Sequence, residues 1–407
     1  MWPGDQRRHH VDIEAYDQWL AWEHGLRLRR GVGGGVPEPR PGGTDEPDWG
    51  DQATLDASLS VVAPVAHELV ALFYDKLFAD NPRLRALFPE NMDEQRDRLL
   101  AALLGLVQAT DRVDLRERLE QLGRDHRKYG TRPAHYASVG RALIGALSHY
   151  AGPEWTPDVE RAWLARYRAA VRIMLDAANA DDQPPYWFAT VTGHRRVGAD
   201  MAILHVRPRH PYPYLAGQHA TLVSQRLPRV WRPYAMATAA PVEGQLEFHV
   251  RALGRGGLSD VLVHSTAVGD IVRLGPPQGP AVLRAAGGRT RLFVASGTGW
   301  APIKALLQLL GDSESASASG TVVVHMGQGG APYDPDWAWL PDRHPWLTAT
   351  VARSHGEVLE RLPETAHPDW LDAYIGGPPD LTDGVCNRLV AAGVVPARIR
   401  STSWPGA

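Results

Sequence analysis

The segment 121–130, QLGRDHRKYG, carries the residue with the most specific chemistry in this chain, His126. It closes an apolar stripe, Leu115, Leu119 and Leu122, whose steps of four, three and four residues predict an imidazole on the leucines' helix face. A neutral imidazole aimed into an apolar pocket can ligate a haem iron from its proximal side. The alternative is a satisfied core or boundary histidine, one of 17 in the chain.

A second group reads as phosphate chemistry. Residues 292–303, LFVASGTGWAPI, place Gly297-Thr298-Gly299 between an apolar strand and a helix opened by Pro302. Glycines let the backbone approach a pyrophosphate, and the helix start offers free N–H groups. The alternative is an ordinary turn from strand to helix. Arg232-Pro233-Tyr234-Ala235 lies between two predicted strands, where the Arg could hold a pyrophosphate and the Tyr lie against a flavin ring. Gly256-Gly257-Leu258-Ser259 follows as a second anion-binding turn with backbone donors and a hydroxyl. Ile375-Gly376-Gly377-Pro378-Pro379 would admit a nicotinamide, and the C-terminal Trp404 would cover a flavin face or be a surface aromatic. Each turn alone is ordinary; their order along the chain is not.

Three kinds of element must position these groups. From 51 to 182 the periodicity is helical: Val70, Phe73, Tyr74 and Leu77 share one face, Gln95, Leu99, Ala102 and Leu106 another, Val139, Leu143, Ile144 and Leu147 a third. From 183 to 287, short β-rich stretches at 187–192, 202–206, 220–223, 246–251 and 271–274 predict a small antiparallel barrel. From 288 to 407, strands at 291–295, 321–325 and 373–375 and a helix at 302–310 predict a parallel α/β unit. Residues 1–50 read as an extension, with a short helix at 11–30 and then a Gly/Pro linker, either poorly ordered or a docking element for an unknown partner.

Composition excludes several classes. Hydrophobic and charged shares of 44% and 22% are those of globular proteins. A net charge of −3 gives no footprint for nucleic acid. The single Cys386 excludes an internal disulfide, a cysteine zinc site and a cysteine-held iron–sulfur cluster, and points to a reducing compartment, most simply the cytoplasm. No run of about 18 apolar residues predicts a membrane span, and the start MWPGDQRRHH lacks a signal-peptide core.

Taken together, residues 55–406 resemble a flavohaemoglobin, a globin fused to a ferredoxin-reductase-like FAD and NAD module. The resemblance implies a multidomain fold: an all-α globin, an antiparallel β-barrel binding FAD, and an α/β parallel-sheet domain binding NAD(P). It makes His126 the haem iron ligand, Phe88 the haem wedge, Tyr74 and Gln95 the distal pair that steadies bound oxygen, Leu99 a haem contact and Tyr136 the tyrosine behind the proximal side. It assigns Arg232, Tyr234, Ala235, Gly256, Gly257 and Ser259 to FAD, and Gly297, Thr298, Gly299, Pro302, Gly377 and Pro378 to the nicotinamide cofactor, with Trp404 over the flavin. The implied cofactors are haem b, FAD and NADH, with NADPH the alternative, because 326–330 has no Arg or Lys for a 2′-phosphate. The implied reaction is NAD(P)H-dependent oxidation of nitric oxide by O₂ to nitrate. Rival readings are a flavin–haem reductase with another acceptor, such as a peroxide, and a gas-sensing globin with a resetting reductase. The chain departs from the family at Ala178, where a Glu would bond the proximal His, at Ala235 for a Ser, at Gly376 for a Cys, at Leu381 for a Met and at Thr402 for an acid.

Overall fold

The computed structural model describes residues 47–403 apart from 110, 240–243, 280, 284–288, 312–319, 326–332 and 363–370. The expected helix at 11–30, the Gly/Pro linker, the 326–330 loop and Trp404 lie outside the described residues.

Six helices come first: α1 Gln52–Val62, α2 Ala66–Asp80, α3 Asp93–Gln108, α4 Arg112–His126, α5 Pro133–Ala151 and α6 Pro157–Ala180. Their starts follow from side-chain caps. Asp51 accepts from the Thr54 N–H, Asp111 from those of Val113 and Asp114, and Thr156 from that of Val159. Val70, Phe73, Tyr74 and Leu77 of α2 pack with Leu143 and Leu147 of α5 and Trp163 of α6. Each such side chain contributes roughly 1.5–3 kcal/mol by leaving water. By composition Gln52–Asp80 is apolar enough to cross a membrane. Pro64 breaks that stretch between α1 and α2, and its apolar face belongs to this core.

Two contacts fix the helices that matter for His126. A Cβ on Gly123 would stand 2.1 Å from the Met174 carbonyl oxygen, so α4 crosses α6 backbone to backbone just before His126. The fully buried Arg166 of α6 donates to the carbonyls of Trp49 and Leu106, both at 2.7 Å, and so holds the C-terminal end of α3.

The next sheet is antiparallel: β1 Trp187–Arg196, β2 Met201–Pro208, β3 His219–Ser224, β4 Leu227–Ala235, β5 Leu246–Arg251 and β6 Ile271–Leu274, in the order β4-β3-β6-β1-β2-β5. A bridge between Met236 and Phe248 brings its two ends together, so the sheet curls into the expected barrel around Leu204, Leu222 and Phe248. The last sheet is parallel, in the order β11-β10-β7-β8-β9: β7 Thr290–Ser296, β8 Gly320–His325, β9 Leu347–Val351, β10 Leu371–Gly377 and β11 Ile399–Ser403. Helices α7 Trp300–Gly311, α8 His355–Glu360 and α9 Pro379–Ala391 accompany it.

Four local expectations change. Arg232-Pro233-Tyr234-Ala235 is not a link between strands but lies inside β4. Pro228 and Pro233 argue against a strand, and β4 tolerates them because it stands last in the sheet order, with one side free of a ladder. Strands β9 and β11, which the pattern did not predict, are the two ends of the parallel sheet, where polar Thr348, Thr350, Arg400 and Thr402 are compatible with a strand. Leu122 does not join Leu115 and Leu119 inside: it is 36% exposed, and the buried stripe continues through Gly123 instead. The α3 face predicted from Gln95, Leu99, Ala102 and Leu106 is only half covered, and Val107 is that helix's one buried residue.

Candidate functional site

At the C-terminal end of α4 the His126 Nδ1 lies 2.7 Å from the Leu122 carbonyl oxygen. A carbonyl only accepts, so Nδ1 carries the proton and Nε2 keeps the lone pair a metal needs. Burial holds the ring below its ordinary pKa, which keeps it neutral near pH 7. The rings of Tyr129 and Tyr136 stand 5.9 and 6.5 Å away. Tyr136 also accepts the Tyr167 hydroxyl on its carbonyl at 2.6 Å, which ties α5 to α6 behind the histidine.

Tyr74 sits among Phe73, Phe78 and Phe88, with ring centroids 4.8–5.7 Å apart. Burial pushes its hydroxyl up to about 12, so it stays a donor. It reaches the Gln95 main-chain carbonyl at 3.4 Å, so the contact with Gln95 is to backbone rather than to the amide. One turn on, Leu99 packs half-buried on the same core. The residues present fit haem. A neutral imidazole offers Nε2, Phe78 and Phe88 make an aromatic wall, and α3 presents a half-covered row of leucines suited to a flat apolar group.

The same end of α4 meets the antiparallel sheet. Asp125 accepts from the Gln278 amide, and Glu94 of α3 pairs with Arg232 of β4. The buried Lys128 ammonium lies 5.3 Å from the Tyr129 ring and 5.8 Å from the Trp231 ring, with Asp125 at 3.5 Å. Burial lowers its pKa; His219's own burial, helped by the Lys128 charge, holds that imidazole down at about 4. Arg232 therefore gives its charge to a carboxylate of the helical part, and a pyrophosphate there would have to displace Glu94. Glu94 is half-exposed, so that exchange costs little. Tyr234 shares the Arg232 face of β4, and burial raises its hydroxyl pKa well above the ordinary value.

In the Gly256-Gly257-Leu258-Ser259 turn, the Asp260 carboxylate accepts from the N–H groups of Gly254, Arg255 and Gly257. The Ser259 hydroxyl accepts from Leu253 at 3.3 Å. The Gly257 donor expected to meet an outside anion is thus taken by a side chain of the turn itself.

The two glycine loops of the parallel sheet form one place. A Cβ on Gly299 would lie 2.2 Å from the Gly376 carbonyl carbon, and one on Gly376 would lie 2.3 Å from the Gly299 oxygen. The two backbones touch because neither residue has a side chain. Thr298 is the partly exposed residue of a loop otherwise buried from 291 to 300, and Pro378 is half-buried beside it. Pro302 falls in the first turn of α7, where a missing N–H costs nothing. β11 runs alongside and ends at Ser403, opposite Gly377. Ala235 is buried with Ala237 and Ala301, so β4 abuts the start of α7.

Residues 71–174 match the globin family, and residues 189–282 match the family described as oxidoreductase FAD-binding domain. The flavohemoprotein of Bordetella pertussis is 27% identical over 282 residues, 64% of this chain and 70% of that one. The flavohemoprotein of Pseudomonas putida is 23% identical over 378 residues, 84% of this chain and 94% of that one. The chain is similar to flavohaemoglobins through both its helical part and its curled flavin-binding sheet. A crystal structure of flavohemoglobin from Malassezia yamatoensis with bound FAD and heme shares the fold at a TM-score of 0.66 and 17% identity, over 86% of this chain and 98% of that one. Like those proteins it joins a helical globin domain to a curled antiparallel flavin sheet and a parallel sheet, the layout of an oxidoreductase.

Within that family frame, Ala178 is half-buried near the end of α6 and Asp176 is exposed, so neither supplies a carboxylate behind His126. Sequence reasoning missed Lys128, Trp231, Glu247, His249, Lys304 and Asp334. One signal was present: Lys304 interrupts the apolar run APIKALLQLL, where a lysine has to find a partner.

Proposed function

We propose that the protein is a cytoplasmic, NAD(P)H-dependent nitric oxide dioxygenase that carries haem b on His126 and FAD on β4. The observation that carries this reading is the His126 tautomer: Nδ1–H is spent on Leu122 and Nε2 is left as a ligand. The nicotinamide, FAD and haem supply the redox chemistry, passing electrons from NAD(P)H to O₂ so that nitric oxide is oxidised to nitrate. The protein's residues position and tune. Tyr74, held protonated by burial, offers its hydroxyl to a small polar ligand inside an aromatic pocket that excludes water. Gln95 lies in the first turn of the helix that closes that pocket. Gly299 and Gly376 admit the nicotinamide at the carboxyl end of the parallel sheet.

A reductase using another acceptor, such as a peroxide, is favoured by one observation, the absence of a carboxylate at position 178. A proximal carboxylate would make the imidazole a stronger electron donor. Electrode recordings of nitric oxide in air with NADH, plus a nitrate assay, separate the two readings. Catalytic loss of nitric oxide with nitrate formed supports the dioxygenase. Sustained NADH oxidation without it transfers the lead to the reductase.

A further inference from the structure

Between the flavin sheet and the parallel sheet lies a buried charged cluster that the reaction as described does not use. Glu247 and His249 leave the same face of β5. Lys304, 1% exposed on α7, places Nζ 2.7 Å from Glu247, 3.1 Å from Asp334 and 2.6 Å from Asp336. Trp300, one turn earlier, donates Nε1 to Asp334 at 2.9 Å. His249 Nε2 lies 2.7 Å from Glu247, and its Nδ1 lies 2.7 Å from the Tyr333 hydroxyl, which in turn reaches the Gly297 carbonyl at 3.4 Å. Glu247, His249 and Asp334 present ligand atoms within 4.8 Å of one another, a spacing that would suit a metal. The Lys304 ammonium already neutralises that place, so the cation is part of the chain.

The cluster grips the glycine loop at both ends. Tyr333 holds Gly297 at its start, and Lys304 and Trp300 hold the helix that follows Gly299. Both grips lead back to β5. We propose that Lys304 is a positioning residue for hydride transfer: with Glu247 and Asp334 it clamps the Gly297–Gly299 loop to the flavin sheet and fixes how nicotinamide meets flavin. In that transfer the nicotinamide ring loses two electrons and a proton as hydride to the flavin and leaves as NAD(P)⁺. The proposal rests on reading Gly297–Gly299 as the nicotinamide loop. A buried pair of this kind adds little stability over an apolar pair, but it fixes one geometry.

The test is anaerobic stopped-flow reduction of the flavin by NADH in the full-length, haem- and FAD-loaded protein. Lys304→Met should lower the limiting reduction rate by about 10-fold or more, because reacting groups misplaced by about 1 Å lose up to about 100-fold. Its NADH dissociation constant should change by less than about 3-fold, since the Gly297–Gly299 backbone donors are untouched. The double variant Lys304→Met with Glu247→Gln removes one of the two buried carboxylates left without a cation, so thermal stability should recover in part while the reduction rate stays low. A wild-type rate in Lys304→Met overturns the clamp, and so does a rate that recovers together with stability in the double variant. Gly299→Val, which drives a side chain into Gly376, tests the loop reading separately. If NADH reduces that variant as fast as wild type, the nicotinamide assignment fails first and the clamp with it.

Discussion

The flavin sheet has two junctions, each built around one buried lysine, and the two lysines are neutralised differently. Lys128, facing the helical domain, rests between Tyr129 and Trp231 with a single carboxylate at 3.5 Å, and burial lowers its pKa. Lys304, facing the parallel sheet, is ringed by Glu247, Asp334 and Asp336. Burial pulls its pKa down, but the carboxylates outweigh that and raise it from 10.5 to about 12. Aromatic faces tolerate a sliding cation, whereas carboxylates fix a point charge. On the proposed reading, the junction that would align two rings for hydride transfer is the rigid one. Electrons passing to the helical domain, as proposed, would need proximity rather than ring alignment, and that junction is the softer one.

The comparison breaks most readily at Lys304. Lys304→Met leaves Glu247 and Asp334 buried without their cation and should cost about 3–5 kcal/mol in thermal or urea unfolding. Lys128→Met keeps an apolar side chain between two rings and should cost about 1–2 kcal/mol. Equal losses would erase the distinction between the junctions.

The pH dependence of those differences carries opposite signs. Lys304 has a folded pKa above its unfolded value, so its contribution is full below pH 10.5 and is lost as pH climbs through about 12. Lys128 has a folded pKa below 10.5, so the cost of burying its charge is relieved as pH rises towards 10.5. The stability gap between wild type and Lys304→Met should therefore shrink above pH 10.5, and the gap to Lys128→Met should widen on the approach to it. Melting curves on both variants across pH 8–11.5 check the two signs.

A smaller effect is expected at Glu94. Releasing Arg232 by Glu94→Gln should tighten FAD binding about 2- to 5-fold, in keeping with a half-exposed ion pair worth under about 1 kcal/mol. Fluorescence titration of the FAD-free protein with FAD measures it. Weaker binding would mean that Glu94 helps hold the flavin rather than competing for its arginine.

What the sequence revealed, and what it hid, follows the same line. The placement of His126, Tyr74 and the Gly297-Thr298-Gly299 loop was legible because its signals are local: the end of a helix, an apolar helix face, a glycine turn between a strand and a helix. Lys304 and Glu247 were not, because the partners stand 57 residues apart and only the tertiary fold brings them together. β4 was hidden by its prolines, and β9 and β11 by the polar residues that sheet ends tolerate. The Gly256–Ser259 turn was legible as an anion site, and the anion proved to be Asp260, three residues after Gly257.

The central claim is that electrons from NADH reach a haem held by His126. The most direct measurement adds NADH anaerobically to the haem- and FAD-loaded protein and follows the flavin and haem absorption bands together, with His126→Ala alongside. The account predicts that the flavin bleaches first, that the wild-type haem then becomes ferrous, and that the variant retains no haem. Flavin bleaching with wild-type haem left ferric, or a normal haem spectrum in His126→Ala, would contradict it.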